Sequence, residues 1–342
     1  MDPFAVKPLG RTKLNLPRLG MGGAALGNIF DEISEVQAEA TMDAAWRAGI
    51  RYYDTSPWYG RGLSERRVGN YLLHQPADER LISTKVGRLF TSPTDPVAFA
   101  GTERAWSKGL HFEHHHDYSY DAIMRSYEDS LQRLGVNRVN ALLIHDLDIG
   151  GVGTQERVDF HLGELSKSGF RALEELKAAG LIQAIGAGVN RPGTIAPFLD
   201  RFDLDFFLVA TPYTLVEQSI FDDELPPCLA RNVGLVIGAV FATGILATGA
   251  IAGARYNYRP ATAEQLDRVR RMEAVCARHG VPLAAAALQF PLHHPLVASV
   301  IPGAFHPDQV TQNVRAMAVD IPDAVWHELK AEGLLRADVP TP

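Results

Sequence analysis

The sequence predicts an α/β protein built as a closed (β/α)8 barrel, and three observations carry the prediction. Short apolar strand candidates alternate with helical stretches along all 342 residues. The strands are apolar nearly throughout, as expected of a parallel sheet covered by helices. There are eight of them, a number that at this chain length fits a closed barrel better than an open sheet. No linker or shift of composition divides the chain, so residues 1–342 read as one domain.

Taken in order, the prefix "VKPLGRTKLNL" reads as a small N-terminal β-hairpin outside the count, and "RLGMGG" (18–23) is the first strand. The first helix is announced by Ser34 and Gln37, spaced as a capping box, and stopped by Gly49. The strand "IRYYDT" (50–55) follows, then a helix opening at "SERRVGNYLL" and the strand "RLISTKV" (80–86). A helix "YDAIMRSYEDSLQRLG" ends on Gly135 before the strand "NALLIH" (140–145), and "GFRALEELKAAG" is a helix stopped by Gly180. The remaining strands are 181–189, 204–210, 234–240 and 297–302, and "PDAVWHELKAEGLL" is an extra C-terminal helix.

The composition, 46% hydrophobic and 21% charged, is that of an ordinary soluble globular chain. A net charge of −7 offers no footprint for nucleic acid or an anionic membrane. No stretch approaches the roughly 20 apolar residues of a membrane span, and the N-terminus lacks the pattern of a secretory signal. Cys228 and Cys276 lie far apart and read as buried small hydrophobes of a reducing compartment. A cytoplasmic protein is expected.

Three stretches, 87–118, 146–165 and 242–261, exceed what the barrel needs. Each follows a strand and so lies at the C-terminal face, where barrels keep their active sites. The first holds His111, His114, His115 and His116 in "HFEHHHDYS". Adjacent histidines in an irregular loop do not supply converging ligands. The segment reads as solvated or substrate-facing, and no metal is expected.

Asp54 lies near the end of the second strand, Tyr59 in the loop after it, Lys85 near the end of the third and His145 at the end of the fourth. A lysine and an aspartate inside apolar strands are costly unless they pair. A phenol, with an ordinary pKa of about 10, is a poor base near neutrality. A neighbouring ammonium would favour the phenolate and lower that value. Asp54 would hold Lys85, and His145 would hydrogen-bond a substrate oxygen directed at Tyr59. Such a site moves a proton at a hydroxyl or carbonyl oxygen. It contains no nucleophile, so the other half of the reaction needs a cofactor.

These four residues, in "GIRYYDTSPWYGRGLSERRVG", "ISTKVG" and "SLQRLGVNRVNALLIHD", together with "SVIPGAFHPDQVTQNV", resemble the catalytic tetrad and signatures of the aldo-keto reductase superfamily. The resemblance runs from about residue 8 to about 318. It implies hydride transfer with a nicotinamide cofactor lying across the barrel mouth. Gly22, Gly23 and Asp54 would border the cofactor, and Asn190 would hydrogen-bond its carboxamide. The loop 241–246, with Phe241, Gly244 and Leu246, would cover the pyrophosphate, and Gln312 and Asn313 would lie near the adenine. Relatives that prefer NADP place cations where this chain has Gly303 and Gln309, so NAD is the expected cofactor. The aromatic that stacks on the nicotinamide is replaced by Gly238.

The wording also resembles a narrower branch, the NAD-dependent aldose 1-dehydrogenases acting on L-fucose and related sugars, which includes a pyridoxal 4-dehydrogenase. Trp58 and His145 would then line a substrate pocket, with packing against the loop as the other reading of Trp58. A non-catalytic ligand-binding protein on the same fold is the alternative of a different class. One competing motif is rejected. Gly20, Gly22 and Ala25 fit a G-x-G-x-x-A dinucleotide fingerprint, but the helix signal waits until Ser34 and the preceding strand carries Pro17.

Overall fold

In the computed structural model, which describes residues 1–29, 31–100, 106 and 108–342, the eight strand candidates form one parallel sheet. The strands are Met21–Gly22, Tyr52–Asp54, Leu81–Val86, Ala141–His145, Ala184–Val189, Phe206–Ala210, Gly234–Gly238 and Val297–Val300. They pair in sequence order, and the parallel bridges Leu19↔Val300 and Gly22↔Gly303 join the last strand to the first. The result is a TIM barrel.

Inward positions recur every second residue along each strand. Tyr52, Ala141, Leu143, Ala184, Phe206, Leu208, Val236 and Ala298 fill the interior, and Leu9, Leu14 and Leu16 of the N-terminal hairpin pack beneath them. The hairpin pairs Val6–Pro8 with Asn15–Pro17. The fifth strand turns small residues inward, and this is a packing requirement. A Cβ on Gly186 would lie 2.6 Å from the Phe206 ring. Gly186→Ala should therefore cost about 1–3 kcal/mol by overpacking, read as a lower urea midpoint; an unchanged midpoint would show that the ring can move aside.

The helix boundaries follow the local signals, with one correction. Ser34 caps the helix Glu35–Arg47 by accepting from the Gln37 amide. The reciprocal half of the expected capping box is absent, because the Gln37 side chain donates instead to the Phe305 carbonyl at 2.7 Å. Gly135 closes the helix Tyr120–Leu134 in the left-handed conformation. The strand Met21–Gly22 leads into the single turn Ala25–Gly27 rather than a helix, as rejection of the dinucleotide fingerprint requires.

The three long stretches carry structure of their own. The first contains an antiparallel hairpin, Arg88–Thr91 with Glu113–His116, so three of the four histidines stand on a strand and not in an irregular loop. The second contains the helices Ile149–Val152 and Gln155–Glu164, and the third a hairpin pairing Arg255–Tyr256 with Arg259–Pro260. Cys228 and Cys276 are buried and unbonded. Among the described residues, no helix is long and apolar enough to cross a membrane.

Candidate active site

The alternation that buries Tyr52, Ser83 and Leu143 carries Asp54, Lys85 and His145 inward one layer higher, at the C-terminal rim. Lys85 Nζ donates to Asp54 Oδ2 at 2.7 Å and to the Thr55 carbonyl at 2.8 Å. Ser83 Oγ donates to the other carboxylate oxygen, Oδ1, at 2.7 Å. The ion pair is nearly sealed, its side chains 1% and 2% exposed. Gly188 faces the same layer; a Cβ there would make ordinary contact with both Lys85 and His145 at 3.7 Å.

Tyr59 enters from the loop after the second strand, just before a sharp turn at Gly60, Arg61 and Gly62, all with positive φ. Lys85 Nζ lies 4.6 Å from the centre of its ring, and the rings of Tyr59 and His145 meet edge to face at 5.8 Å. Its hydroxyl forms no hydrogen bond among the described residues. The expected lowering of its pKa is corrected. Burial, with the carboxylates of Asp54 and Asp146, holds the phenol well above its ordinary value, and Arg88 pulls the other way. The ammonium is spent on Asp54 and the Thr55 carbonyl and makes no hydrogen bond to the phenol.

His145 is oriented by a directional chain. The Trp58 amide donates to Ser56 Oγ at 3.0 Å, and Ser56 Oγ lies 3.0 Å from His145 Nδ1. His145 Nε2 is 3.3 Å from Asp146 Oδ2. A lone pair there would face a carboxylate, so Nε2 carries the hydrogen and Nδ1 accepts from the serine. Burial, Arg88 and Lys85 hold the imidazole pKa well below its usual value, which keeps the ring neutral.

Two residues missed in the sequence complete the rim. Asp146, at φ 43°, accepts from Asn190 Nδ2 at 2.7 Å and from Arg88 Nη2 at 3.2 Å. Asp146 is the last residue of a quoted motif, directly after His145, and Arg88 follows the motif "ISTKVG" immediately, three residues after Lys85. Counting along the strands would have placed them at the rim but not paired them.

A cavity of about 800 Å³ opens beside this cluster, lined by Trp58, Arg88, His114, Asp146, Asp148 and Tyr258 among others. All three long stretches contribute to its wall. His145, 4% exposed, does not line it, contrary to expectation, and neither does Tyr59; their neighbours Asp146 and Trp58 do. Trp58 lines the cavity and is also packed, with the Arg88 guanidinium 4.3 Å and the His114 ring 4.3 Å from its ring centre. His114 is pushed down to about 4 by burial and the nearby arginines, and His116 to about 3. Among the described residues, no group of three or more His, Cys, Asp or Glu could hold a metal ion.

The sequence profile described as "Aldo/keto reductase family" matches residues 18–332. The chain belongs to the aldo-keto reductase family. It is therefore an oxidoreductase, not a non-catalytic binding protein. It is 41% identical over 341 residues to pyridoxal 4-dehydrogenase of Microbacterium luteolum, covering 96% of this chain and 97% of that one. To D-threo-aldose 1-dehydrogenase of a Pseudomonas species it is 40% identical over 331 residues, 96% of each. The solved holo form of aldo-keto reductase AKR11C1 from Bacillus halodurans superposes with a TM-score of 0.74 at 26% identity, covering 98% of both chains.

Aldo-keto reductases work with a nicotinamide cofactor, and the residues of this one fit such a group. Asn313 is 8% exposed and its carboxamide has no hydrogen-bond partner among the described residues. Asn190, its amide nitrogen fixed by Asp146, keeps its carbonyl oxygen free to accept. The turn 242–244 has positive φ at Ala242, Thr243 and Gly244, and open space surrounds Gly244. Phe241 is half-buried and Leu246 buried, while Gln312 is exposed. Gly22 and Gly23 have a packing duty besides: a Cβ on Gly22 would lie 2.9 Å from the Ile301 carbonyl, and one on Gly23 would lie 2.9 Å from that of Asp54. Gly303 is exposed, and Gln309 accepts from the Phe305 amide at 2.9 Å.

Proposed function

We propose that this aldo-keto reductase is a single-domain dehydrogenase that oxidises the C1 hydroxyl of a cyclic, L-fucose-like aldose to the lactone with NAD. The observation that carries the reading is the Asp54–Lys85–Tyr59–His145 cluster set beside a cavity walled by charged and aromatic side chains. NAD, when bound, supplies the hydride acceptor. Tyr59, as phenolate, takes the hydroxyl proton, and the neutral His145 donates its Nε2 hydrogen to the same oxygen. The Lys85–Asp54 pair holds the layer beneath them, and Trp58 forms part of the sugar pocket. Gly22, Gly23, Asp54, Asn190, the 241–246 loop, Gln312 and Asn313 hold the cofactor. Reduced, buried cysteines accord with a cytoplasmic enzyme.

The similarity to D-threo-aldose 1-dehydrogenase supports the aldose. The similarity to pyridoxal 4-dehydrogenase supports a second reading with the same proton transfer, oxidation of the pyridoxal hemiacetal. Measuring kcat/KM for L-fucose, D-arabinose, L-galactose and pyridoxal decides between them. A pyridoxal value far above every sugar would replace the aldose, and no turnover of any would sink both.

NAD should give the higher kcat/KM, because neither Gly303 nor Gln309 offers a cation to a 2′-phosphate. A Cβ on Gly303 would meet nothing closer than 3.6 Å, so Gly303→Lys is accommodated. One charge-assisted contact of about 1.5–3 kcal/mol should raise the NADP value roughly tenfold or more. Equal use of the two cofactors by the unmodified enzyme would defeat the assignment.

A further inference from the structure

Most of the buried polar groups at the rim are spoken for, but Arg88 and Asp148 on the cavity wall carry buried atoms that are not. Arg88 is 5% exposed, and only its Nη2 is used, on Asp146. Its Nε and Nη1 have no hydrogen-bond partner among the described residues. Asp148 is 6% exposed; its Oδ1 caps the Gly151 amide at 2.8 Å, and its Oδ2 is likewise without a partner. Both residues line the 800 Å³ cavity. Buried polar atoms are rarely left unsatisfied, and these three, each nearly sealed from solvent, meet a ligand once the wall around them shifts.

The two groups have opposite requirements. A guanidinium only donates and a carboxylate only accepts, whereas a hydroxyl does both. The charge of the wall also selects. Arg61, Arg88 and Arg191 stand against Glu113, Asp146 and Asp148, three of each sign. His114 adds no charge near neutrality, its pKa pushed down to about 4. A balanced wall has no surplus charge to anchor an anion.

We propose that Arg88 and Asp148 form the specificity pair of this enzyme, each binding a non-reacting hydroxyl of an uncharged polyhydroxylated substrate. Arg88 is well placed for this. Asp146 holds one end of its fork, and Trp58 lies 4.3 Å from its Cζ, so the guanidinium is anchored at the cavity wall. The inference rests on the aldose reading above and narrows it to neutral sugars, excluding uronates and sugar phosphates.

The test is equilibrium binding, which does not depend on turnover. L-Fucose, D-arabinose, D-galactose and D-galacturonate are titrated calorimetrically into enzyme saturated with NADH and, in parallel, with NADPH. Arg88→Gln should weaken the neutral sugars about tenfold or more, and Arg88→Lys, which keeps one cationic donor, by less. Asp148→Asn keeps a carbonyl to cap Gly151, so it tests the pair even if the Arg88 variants fold poorly. It should weaken binding roughly three- to tenfold by removing a charge-assisted acceptor. Galacturonate should bind no better than galactose. The inference is overturned if the wild-type enzyme binds none of the neutral sugars, if the variants bind them within about twofold of wild type, or if the uronate binds tighter. Sugars that bind through this pair but are never oxidised would refute the proposed reaction and leave the binding pair standing.

Discussion

Tyr59→Phe should abolish oxidation to within a small residue, a loss of about 10²–10⁴-fold for a group acting in proton transfer. The ring stays, so its edge-to-face contact with His145 and its packing by Trp106, ring centres 5.6 Å apart, are kept. The hydroxyl that leaves holds no hydrogen bond among the described residues, so folding loses little. Cofactor affinity, measured by fluorescence quenching, should therefore be nearly unchanged while kcat falls. The raised phenol pKa adds a pH signature. A base whose pKa lies well above its ordinary value is ionised only in alkali, so wild-type oxidation should climb with pH beyond neutrality. Activity within a few-fold of wild type in the variant would remove Tyr59 from the mechanism.

Lys85→Met should strike stability as well as rate. It leaves Asp54, 2% exposed, without its counter-ion, and breaking a buried pair in this way costs about 3–5 kcal/mol. The cost should depend on pH. Burial already lifts the Asp54 pKa above the ordinary carboxylate value, against the pull of Lys85 and Ser83. Without the ammonium it rises further. An acid with a raised folded pKa takes up a proton on folding, so the folded state loses stability as pH climbs from the unfolded value through the folded one. The gap in urea midpoint between variant and wild type should be widest at neutral pH and above. It should shrink as the pH falls toward the ordinary carboxylate range. The double variant Asp54→Asn with Lys85→Met should lose that slope. A gap independent of pH would mean that Asp54 is not the group left uncompensated.

What was legible in the chain was local in origin. Strand positions follow from apolar runs, and the period of two then dictates that Asp54, Lys85 and His145 face inward with Tyr52, Ser83 and Leu143. Ser34 could be read as a cap because its partner, the Gln37 amide, is three residues away. The Gln37 side chain could not be read, because its acceptor on Phe305 is 268 residues distant and only barrel closure brings the two together.

By itself, then, the sequence determined the barrel, its eight strands and the rim to which the four polar residues are delivered, since these follow from apolar runs and the period of two along each strand. The tertiary structure alone decided their electrostatics and the cavity. Asp146 reaches Arg88 across 58 residues and Asn190 across 44, and that network sets the field on Tyr59 and the tautomer of His145. The phenol pKa rises rather than falls because burial and two carboxylates outweigh cations already committed to partners. Desolvation and through-space charge depend on how closely three separate loops pack over the rim, a quantity that no spacing along the chain encodes.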